Sequence, residues 1–92
     1  MIRSFTNKAL LALFEMGISA KIDVRLHRRI LIRLDAISQA TSIDDLKLPG
    51  YNFHALRGFS PTRYTIHVNG PWCITFEFGE GHAYHVDFEQ YH

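Results

Sequence analysis

Residues 64–92 read YTIHVNGPWCITFEFGEGHAYHVDFEQYH. Apolar and polar residues alternate in three successive runs of this stretch, as they do in half-buried strands. Asn69-Gly70 separates the first two runs, and Gly79-Glu80-Gly81 separates the second from the third. Asn-Gly between alternating runs predicts a hairpin, because both central residues of its turn take positive φ. The stretch therefore predicts a three-stranded antiparallel meander that ends on Tyr91 and His92.

Strand parity divides the side chains of the meander between two faces. One face is apolar and is predicted to pack against helices; it comprises Tyr64, Ile66, Val68, Trp72, Ile74, Phe76, Phe78, Tyr84, Val86 and Phe88. The other is mostly polar; it comprises Arg63, Thr65, His67, Asn69, Cys73, Thr75, Glu77, Ala83, His85, Asp87 and Glu89. The second face is predicted to be a half-open surface that suits a binding cleft.

The first half of the chain carries helical periodicity. A first helix is predicted over about residues 6–16, with Thr6 or Asn7 as its N-cap and Gly17 as its C-cap. Asp23 is predicted to cap a second helix, whose apolar residues recur as one buried stripe. That stripe comprises Leu26, Ile30, Leu34 and Ile37. A second stripe of Arg25, Arg29 and Arg33 is either a solvated helix face or a contact surface for RNA backbone or an acidic partner.

Shorter elements complete the predicted fold. Ser42 is expected to cap one short turn, and residues 51–56 predict a strand because Tyr and Phe favour extended backbone. Residues 2–5 are compatible with a short opening strand. The order of elements predicts a single α+β domain over residues 1–92, with two N-terminal helices packed on one face of a mostly antiparallel sheet of four or five strands.

Composition limits the class of protein. The chain is 47% apolar and 21% charged, which predicts folding rather than disorder. The single cysteine, Cys73, excludes an internal disulfide and suits a reducing cytoplasm. Its thiol is either a small strand side chain or a reactive group. No apolar run approaches the ~18 residues of a membrane span, and the first residues lack the apolar core of a signal peptide. Cytoplasmic localisation is therefore expected.

Charge is unevenly distributed along the chain. Residues 1–40 carry seven basic and three acidic residues, a net charge of +4. Residues 77–92 carry four acidic residues and no Lys or Arg, a net charge of −4. Such asymmetry suits a basic face for phosphates or an acidic partner.

Six histidines are many for 92 residues, and five of them fall in the second half. Histidine clusters serve metal binding or acid–base catalysis. His82 and His85 are three residues apart, which on a strand places their rings on opposite faces. A metal set of His67, Cys73 and His85 would require a suitable strand register. We expect no metal and no cofactor.

Acid–base cleavage of RNA needs no metal. A base takes the proton of the 2′-hydroxyl, the oxygen attacks the adjacent phosphate, and an acid protonates the departing 5′-oxygen. A cation stabilises the charge that develops on the phosphate oxygens. His54, Arg57 and His92 supply these groups, with Tyr91 as a further hydroxyl or a stacking platform for a base. The terminal Tyr91-His92 pair is equally compatible with a frayed tail.

Motifs along nearly the whole chain resemble those of the HigB toxins, a branch of the RelE/ParE toxin superfamily of type II toxin–antitoxin modules. They include Phe14-Glu15-x-Gly17, Leu34-Asp35-Ala36, Leu48-Pro49-Gly50, His54-x-Leu56-x-Gly58, Trp72-x-Ile74-Thr75-Phe76-x-Phe78, Ala83-Tyr84-x-Val86 and the final Tyr91-His92. The ordered set at matching spacing is specific, although no single piece is.

The resemblance implies a microbial-ribonuclease-like sheet and a metal-independent endoribonuclease that cuts translated mRNA in the A site of the small ribosomal subunit. It implies a bacterial cytoplasmic protein with a HigA-type helix-turn-helix antitoxin, and contact with operator DNA only through that antitoxin. By position, the catalytic residues would be His54, Arg57, Tyr91 and His92. Arg57, Arg63 and Lys8 are predicted to contact RNA phosphates.

Two positions depart from the family pattern. The family usually has arginine where this chain has Cys73, and aspartate where it has Gln90. A thiol cannot replace a guanidinium aimed at the scissile phosphate, and loss of one such contact typically costs ~10²–10³ in rate. Gln90 lacks the charge that would orient a neighbouring histidine. We therefore expect an attenuated toxin.

Three hypotheses follow from this pattern. The first is a ribosome-dependent mRNA endonuclease that inhibits translation, with reduced activity. The second is an inactive relative that binds its antitoxin and helps to repress its operon. The third is a gyrase-directed toxin of the same superfamily, which His54 and Tyr91-His92 argue against because gyrase-directed relatives lack this nuclease set.

Overall fold

The computed structural model describes residues 1–90, so the predictions made for Tyr91 and His92 lie outside the described residues. Two α-helices come first: α1 spans Lys8–Met16 and α2 spans Val24–Gln39. A 3-10 turn follows at Ile43–Leu46. The strands are β1 at His54–Leu56, β2 at Arg63–Asn69, β3 at Trp72–Gly79 and β4 at His82–Gln90. They form one antiparallel sheet in the order β1-β2-β3-β4, which confirms the predicted α+β class with four strands.

The helix ends lie where their capping residues predict. The Asn7 side chain accepts from the Leu10 amide at 3.0 Å, so Asn7 rather than Thr6 begins α1. Gly17 ends α1 with φ 77°, a left-handed conformation in which a side chain is strained. Asp23 begins α2 by accepting from the Arg25 amide at 2.9 Å. Hydrogen bonds from the Arg25 side chain and amide lower the pKa of Asp23 to about 2.

The core lies between the helices and one face of the sheet. Its fully buried side chains include Leu10 and Leu13 from α1, Ile30, Leu34 and Ile37 from α2, and Ile66, Ile74 and Phe76 from the sheet. The predicted stripe of α2 is thus confirmed at three of its four positions, and Leu26 packs at the margin of the core. Within residues 1–90 no helix is long and apolar enough to span a bilayer.

The arginine stripe of α2 makes hydrogen bonds to β2 and an ion pair with the N-cap residue of the helix. Arg33 donates from Nε to the His67 carbonyl at 2.6 Å and lies 4.6 Å from the centre of the Tyr51 ring. Desolvation lowers the pKa of Arg33. Arg29 donates to the Val68 carbonyl at 3.2 Å, and Arg25 pairs with Asp23. Arg25 and Arg29 are nevertheless exposed, so a solvated face or a contact surface for RNA or an acidic partner stays a prediction for them, whereas Arg33 is half-buried.

Two predicted strands are shorter than expected. Residues 51–56 contribute only the three residues of β1. The opening segment makes two isolated parallel bridges, from Ile2 to Ala83 and from Phe5 to Val86. It lies along the edge of β4 without becoming a fifth strand.

A β-bulge in β4 changes the face assignment of two residues. Glu77 pairs with Tyr84 and Thr75 pairs with Asp87, so β4 has one more residue than β3 over this interval. His85, with φ 51°, accommodates the extra residue. Ala83 is consequently fully buried beside the core, whereas Tyr84 shares the polar face with Glu77. The prediction that put Tyr84 on the core face and Ala83 on the polar face is wrong because strict alternation fails across a bulge.

Candidate active site

The sheet face opposite the helices carries rows of polar side chains, and we call it the open face. Directly paired residues of neighbouring strands point to the same side of a sheet. One row contains His54, Thr65, Thr75 and Asp87. The next contains Leu56, Arg63, Glu77 and Tyr84. A third contains His67, Cys73 and Glu89. The register thus brings His54, Arg63 and Cys73, which lie on three different strands, onto one surface, whereas Gln90 of β4 pairs with Trp72 outside these rows.

His54 is exposed at the start of β1 and is held by its own loop. Its Nδ1 lies 2.9 Å from the Asn52 carbonyl oxygen. A carbonyl oxygen can only accept, so Nδ1 carries the hydrogen and donates it. In the neutral ring Nε2 is then unprotonated and can accept a proton. Asn52 itself has φ 46°, so the loop conformation that presents its carbonyl to His54 is an uncommon one for a non-glycine residue.

Arg57 lies three residues beyond His54, in the exposed turn that follows β1. Gly58 next to it has φ 84°, which suits a tight turn. The predicted cation is therefore close in sequence to the histidine and exposed to solvent beside the first strand of the sheet.

Arg63 lies on the open face, but protein acceptors surround its guanidinium. It contacts the Glu77 carboxylate at 3.3 Å, the Thr75 hydroxyl at 3.0 Å and the His85 carbonyl at 2.9 Å. Only 14% of its side chain is exposed. An RNA phosphate would have to compete with Glu77 for this cation.

Glu77 joins Arg63 to His85. One oxygen of its carboxylate lies 3.3 Å from Arg63 and 2.9 Å from Nδ1 of His85. Strand alternation predicts all three residues on one face, but it predicts no contact between Glu77 and His85. The opposite charges of Arg63 and Glu77 on neighbouring strands were a usable signal, whereas the approach of His85 depends on the bulge.

A prediction follows from the burial of this ion pair. Glu77→Ala leaves the guanidinium of Arg63 largely buried without its carboxylate, which should lower the free energy of unfolding by about 1–3 kcal/mol. Urea unfolding measures the change. The matched control is Asp44→Ala, because the Asp44–Lys47 pair is solvent-exposed and such pairs contribute about 0–1 kcal/mol. Equal losses in the two variants would contradict a structural role for the Arg63–Glu77 pair.

Cys73 stands opposite Glu89 across β3 and β4. The Glu89 carboxylate accepts a hydrogen bond from the Thr75 hydroxyl, and the Cys73 sulfur lies 3.9 Å from the Pro71 carbonyl. An arginine at position 73 would therefore face a carboxylate able to orient it. With cysteine there, this row contains no basic residue among the described positions except His67.

Other predicted site residues lie away from His54. Lys8 is exposed at the start of α1, in the helical layer behind the sheet. Gln90 is exposed at the end of β4 and pairs with Trp72.

Of the proposed metal set, His67 pairs with Cys73, whereas His85 is hydrogen-bonded to Glu77. Over residues 1–90 no group of three His, Cys, Asp or Glu side chains is arranged to hold a metal ion.

Comparison with known proteins identifies the family of the chain. A family model described as "RelE-like toxin of type II toxin-antitoxin system HigB" matches residues 3–92. A protein of Proteus vulgaris named "Endoribonuclease HigB" is 40% identical over 92 residues, which cover 100% of both chains. With its two helices, antiparallel sheet and polar open face, the chain belongs to the RelE-like toxins of HigB type II toxin–antitoxin systems.

Proposed function

We propose that the chain is the endoribonuclease of its module and that it cuts mRNA at the open face. A full-length relative with 40% identity bears the name of an endoribonuclease. The observation that carries the proposal is the hydrogen bonding of His54. Its Nδ1 donates to the Asn52 carbonyl, and the exposed ring leaves Nε2 available as a base.

In the proposed reaction His54 removes the proton of the 2′-hydroxyl. The 2′-oxygen forms a bond to phosphorus as the bond to the 5′-oxygen breaks. His92 protonates the departing 5′-oxygen, leaving a 2′,3′-cyclic phosphate and a 5′-hydroxyl end. Arg57 stabilises the negative charge on the phosphate oxygens, and Tyr91 stacks on or hydrogen-bonds to a neighbouring base.

Attenuation follows from the charges around the row of Cys73. Asp87 and Glu89 give the β3–β4 side of the open face two carboxylates that form no salt bridge within residues 1–90. Arg63 is neutralised by Glu77, and position 73 supplies no guanidinium. The open face therefore attracts a polyanion less strongly than it would with arginine at position 73.

The proposed partners are a HigA-type helix-turn-helix antitoxin and the ribosomal A site with its bound mRNA. Contact with operator DNA occurs only through the antitoxin. The open face has no guanidinium at position 73 to position the phosphate. Dependence on the ribosome fits this lack, because the ribosome supplies an ordered mRNA and fixes the geometry of attack. The proposed location is the bacterial cytoplasm.

A reconstituted translation system tests this dependence. The purified chain should cut an mRNA paused in the A site and leave the same RNA intact without ribosomes. The cut ends should carry 5′-hydroxyl groups. Equal cleavage of free and ribosome-bound RNA would contradict ribosome dependence, and no cleavage of either would contradict the nuclease proposal.

Cys73 favours a second candidate, an inactive relative that binds its antitoxin and represses its operon. That candidate predicts normal antitoxin binding with no cleavage in the same translation system. It therefore differs from the first candidate in one measurable property, the cleavage of ribosome-bound mRNA.

A further inference from the structure

The loop between β1 and β2 presents an aromatic ring to solvent. All of its residues, 57–62, are exposed. Phe59 is 47% exposed, whereas the other Phe, Tyr and Trp residues within the described range 1–90 are buried or half-buried. An exposed phenyl ring leaves a large apolar area in water, and such rings are usually placed where that area is covered.

The fold itself does not cover the Phe59 ring. Other rings of the sheet stack in pairs, such as Phe53 with Tyr64 and Trp72 with Phe88. Among residues 1–90, Phe59 takes part in no such pair and is not one of the side chains packed against the core. Its ring is therefore available to a ligand.

Charge favours a polyanion on the side of the sheet where this loop lies. Residues 46–76, which include β1, the loop and β2, carry three basic residues and no Asp or Glu, a net charge of +3. The β3–β4 side carries the unpaired carboxylates of Asp87 and Glu89. An RNA strand on the open face should therefore follow β1 and its loop rather than β4.

Phe59 also lies close along the chain to the proposed catalytic groups. It is five residues after His54, so the two Cα atoms are at most about 18 Å apart. Arg57, the proposed phosphate ligand, lies between them in sequence, and Gly58 turns the chain with φ 84°. A few nucleotides of single-stranded RNA span such a distance. Bases of single-stranded RNA are commonly bound by stacking on aromatic side chains.

We propose that Phe59 stacks on a base of the mRNA within a few nucleotides of the cleaved bond. The inference rests on the proposed function and adds to it a base contact on the β1 side of the open face. Stacking accepts any base, because every base has a π-face. The contact would hold the strand while Arg57 binds the phosphate and His54 acts on the 2′-hydroxyl. Phe59 is thus a binding residue and takes no part in proton transfer.

Substitutions at Phe59 test for stacking in the reconstituted translation system. Phe59→Ala should lower kcat/KM for cleavage of ribosome-bound mRNA by about 5–100-fold, the usual effect of removing a ring that stacks on a base. Phe59→Leu keeps apolar bulk without a flat π-face, so it should lose nearly as much. Phe59→Trp keeps a flat ring and should restore most of the rate. Cleavage by Phe59→Leu as fast as by the unmodified chain would overturn the proposal.

Abasic nucleotides identify the base that Phe59 contacts. The mRNA is prepared with one abasic nucleotide at each position around the cleavage site in turn. At one position the missing base should slow the unmodified chain about as much as Phe59→Ala does, and it should slow Phe59→Ala little further. Such non-additivity shows that the ring and the base belong to one contact. Additive losses at every position would contradict stacking.

Two controls exclude other causes. Ile32 is 51% exposed on α2, so Ile32→Ala removes a comparable exposed apolar side chain and should leave cleavage unchanged. Phe59→Ala should bind ribosomes without mRNA as tightly as the unmodified chain does, and weaker binding there would place the ring against the ribosome and overturn the proposal. Urea unfolding verifies the fold of each variant. If Phe59→Ala is unfolded, the comparison of Phe59→Leu with Phe59→Trp decides the outcome.

The same experiment separates this inference from the proposed function. Equal cleavage by Phe59→Ala and the unmodified chain would overturn the stacking contact and leave the nuclease intact. An unmodified chain that cut no ribosome-bound mRNA would overturn the proposed function, and the stacking contact with it.

Discussion

His54→Ala should reduce the rate of mRNA cleavage by about 10²–10⁴-fold, the usual contribution of a positioned general base. The imidazole is exposed, and its Nδ1 donates a hydrogen bond to the Asn52 carbonyl. Its removal should therefore leave the free energy of unfolding nearly unchanged. Single-turnover cleavage of ribosome-bound mRNA measures the rate, and urea unfolding measures the stability.

His67→Ala is the matched control for this prediction. His67 also lies on the open face, and its ring also contacts a backbone carbonyl, that of Gly70 at 3.0 Å. Its Nδ1 and Nε2 have no place in the proposed reaction, so its removal should change the cleavage rate little. Equal rates for His54→Ala and the unmodified chain would eliminate His54 as the base.

Cys73→Arg should increase the cleavage rate, by up to about 10²–10³-fold if the new guanidinium reaches the phosphate in the transition state. Position 73 lies on the open face directly opposite Glu89, which can orient the guanidinium by a bidentate contact. The substitution also offsets one of the two carboxylates on this side of the sheet, Asp87 and Glu89, that form no salt bridge within residues 1–90. The same single-turnover assay measures the gain.

Two further variants isolate the cause of that gain. Cys73→Ser alters the thiol without adding charge and should leave the rate unchanged. Adding Glu89→Gln to Cys73→Arg tests whether Glu89 orients the new side chain, since loss of orientation should reverse part of the gain. A Cys73→Arg variant that cut no faster than Cys73→Ser would show that the arginine does not limit activity, and attenuation would need another cause.

Local sequence signals were sufficient for most of the fold. Asn7, Gly17 and Asp23 mark helix ends because capping depends on residues within one turn of the chain. Asn69-Gly70 correctly marks the position of the hairpin between β2 and β3, but the turn residues are Gly70 and Pro71. Gly70 has φ 56°, whereas Asn69 still pairs with Trp72 and has no positive φ, so the prediction of positive φ at Asn69 is wrong. Alternation along β2 and β3 assigned Ile66, Ile74 and Phe76 correctly to the core, because each of these strands keeps its period across that interval.

Local sequence patterns do not predict the bulge at His85. A bulge depends on how β3 and β4 pair, and the residues around His85 carry no glycine that would signal positive φ. One extra residue reversed Ala83 and Tyr84 between the two faces. It also gave His85 its contact with Glu77, so the error in the fold and the missed contact in the site have the same origin.

The candidate site was only partly predictable for a related reason. His54 and Arg57 follow from their residue types and position in a loop, where functional groups are easily presented to solvent. The neutralisation of Arg63 by Glu77 required the pairing of β2 with β3 to be known. Residue type alone marks Arg63 as a phosphate ligand, which stays a prediction; its guanidinium is largely buried and contacts three protein acceptors.

Mapping of mRNA ends in cells tests the central claim most directly. Primer extension after induction of the chain should reveal new 5′ ends within translated codons, and these ends should become ligatable only after phosphorylation because they carry 5′-hydroxyl groups. Induction of His54→Ala to the same protein level should produce few such ends. Identical ends with both chains, or growth arrest by the unmodified chain with no new ends, would contradict cleavage at the open face.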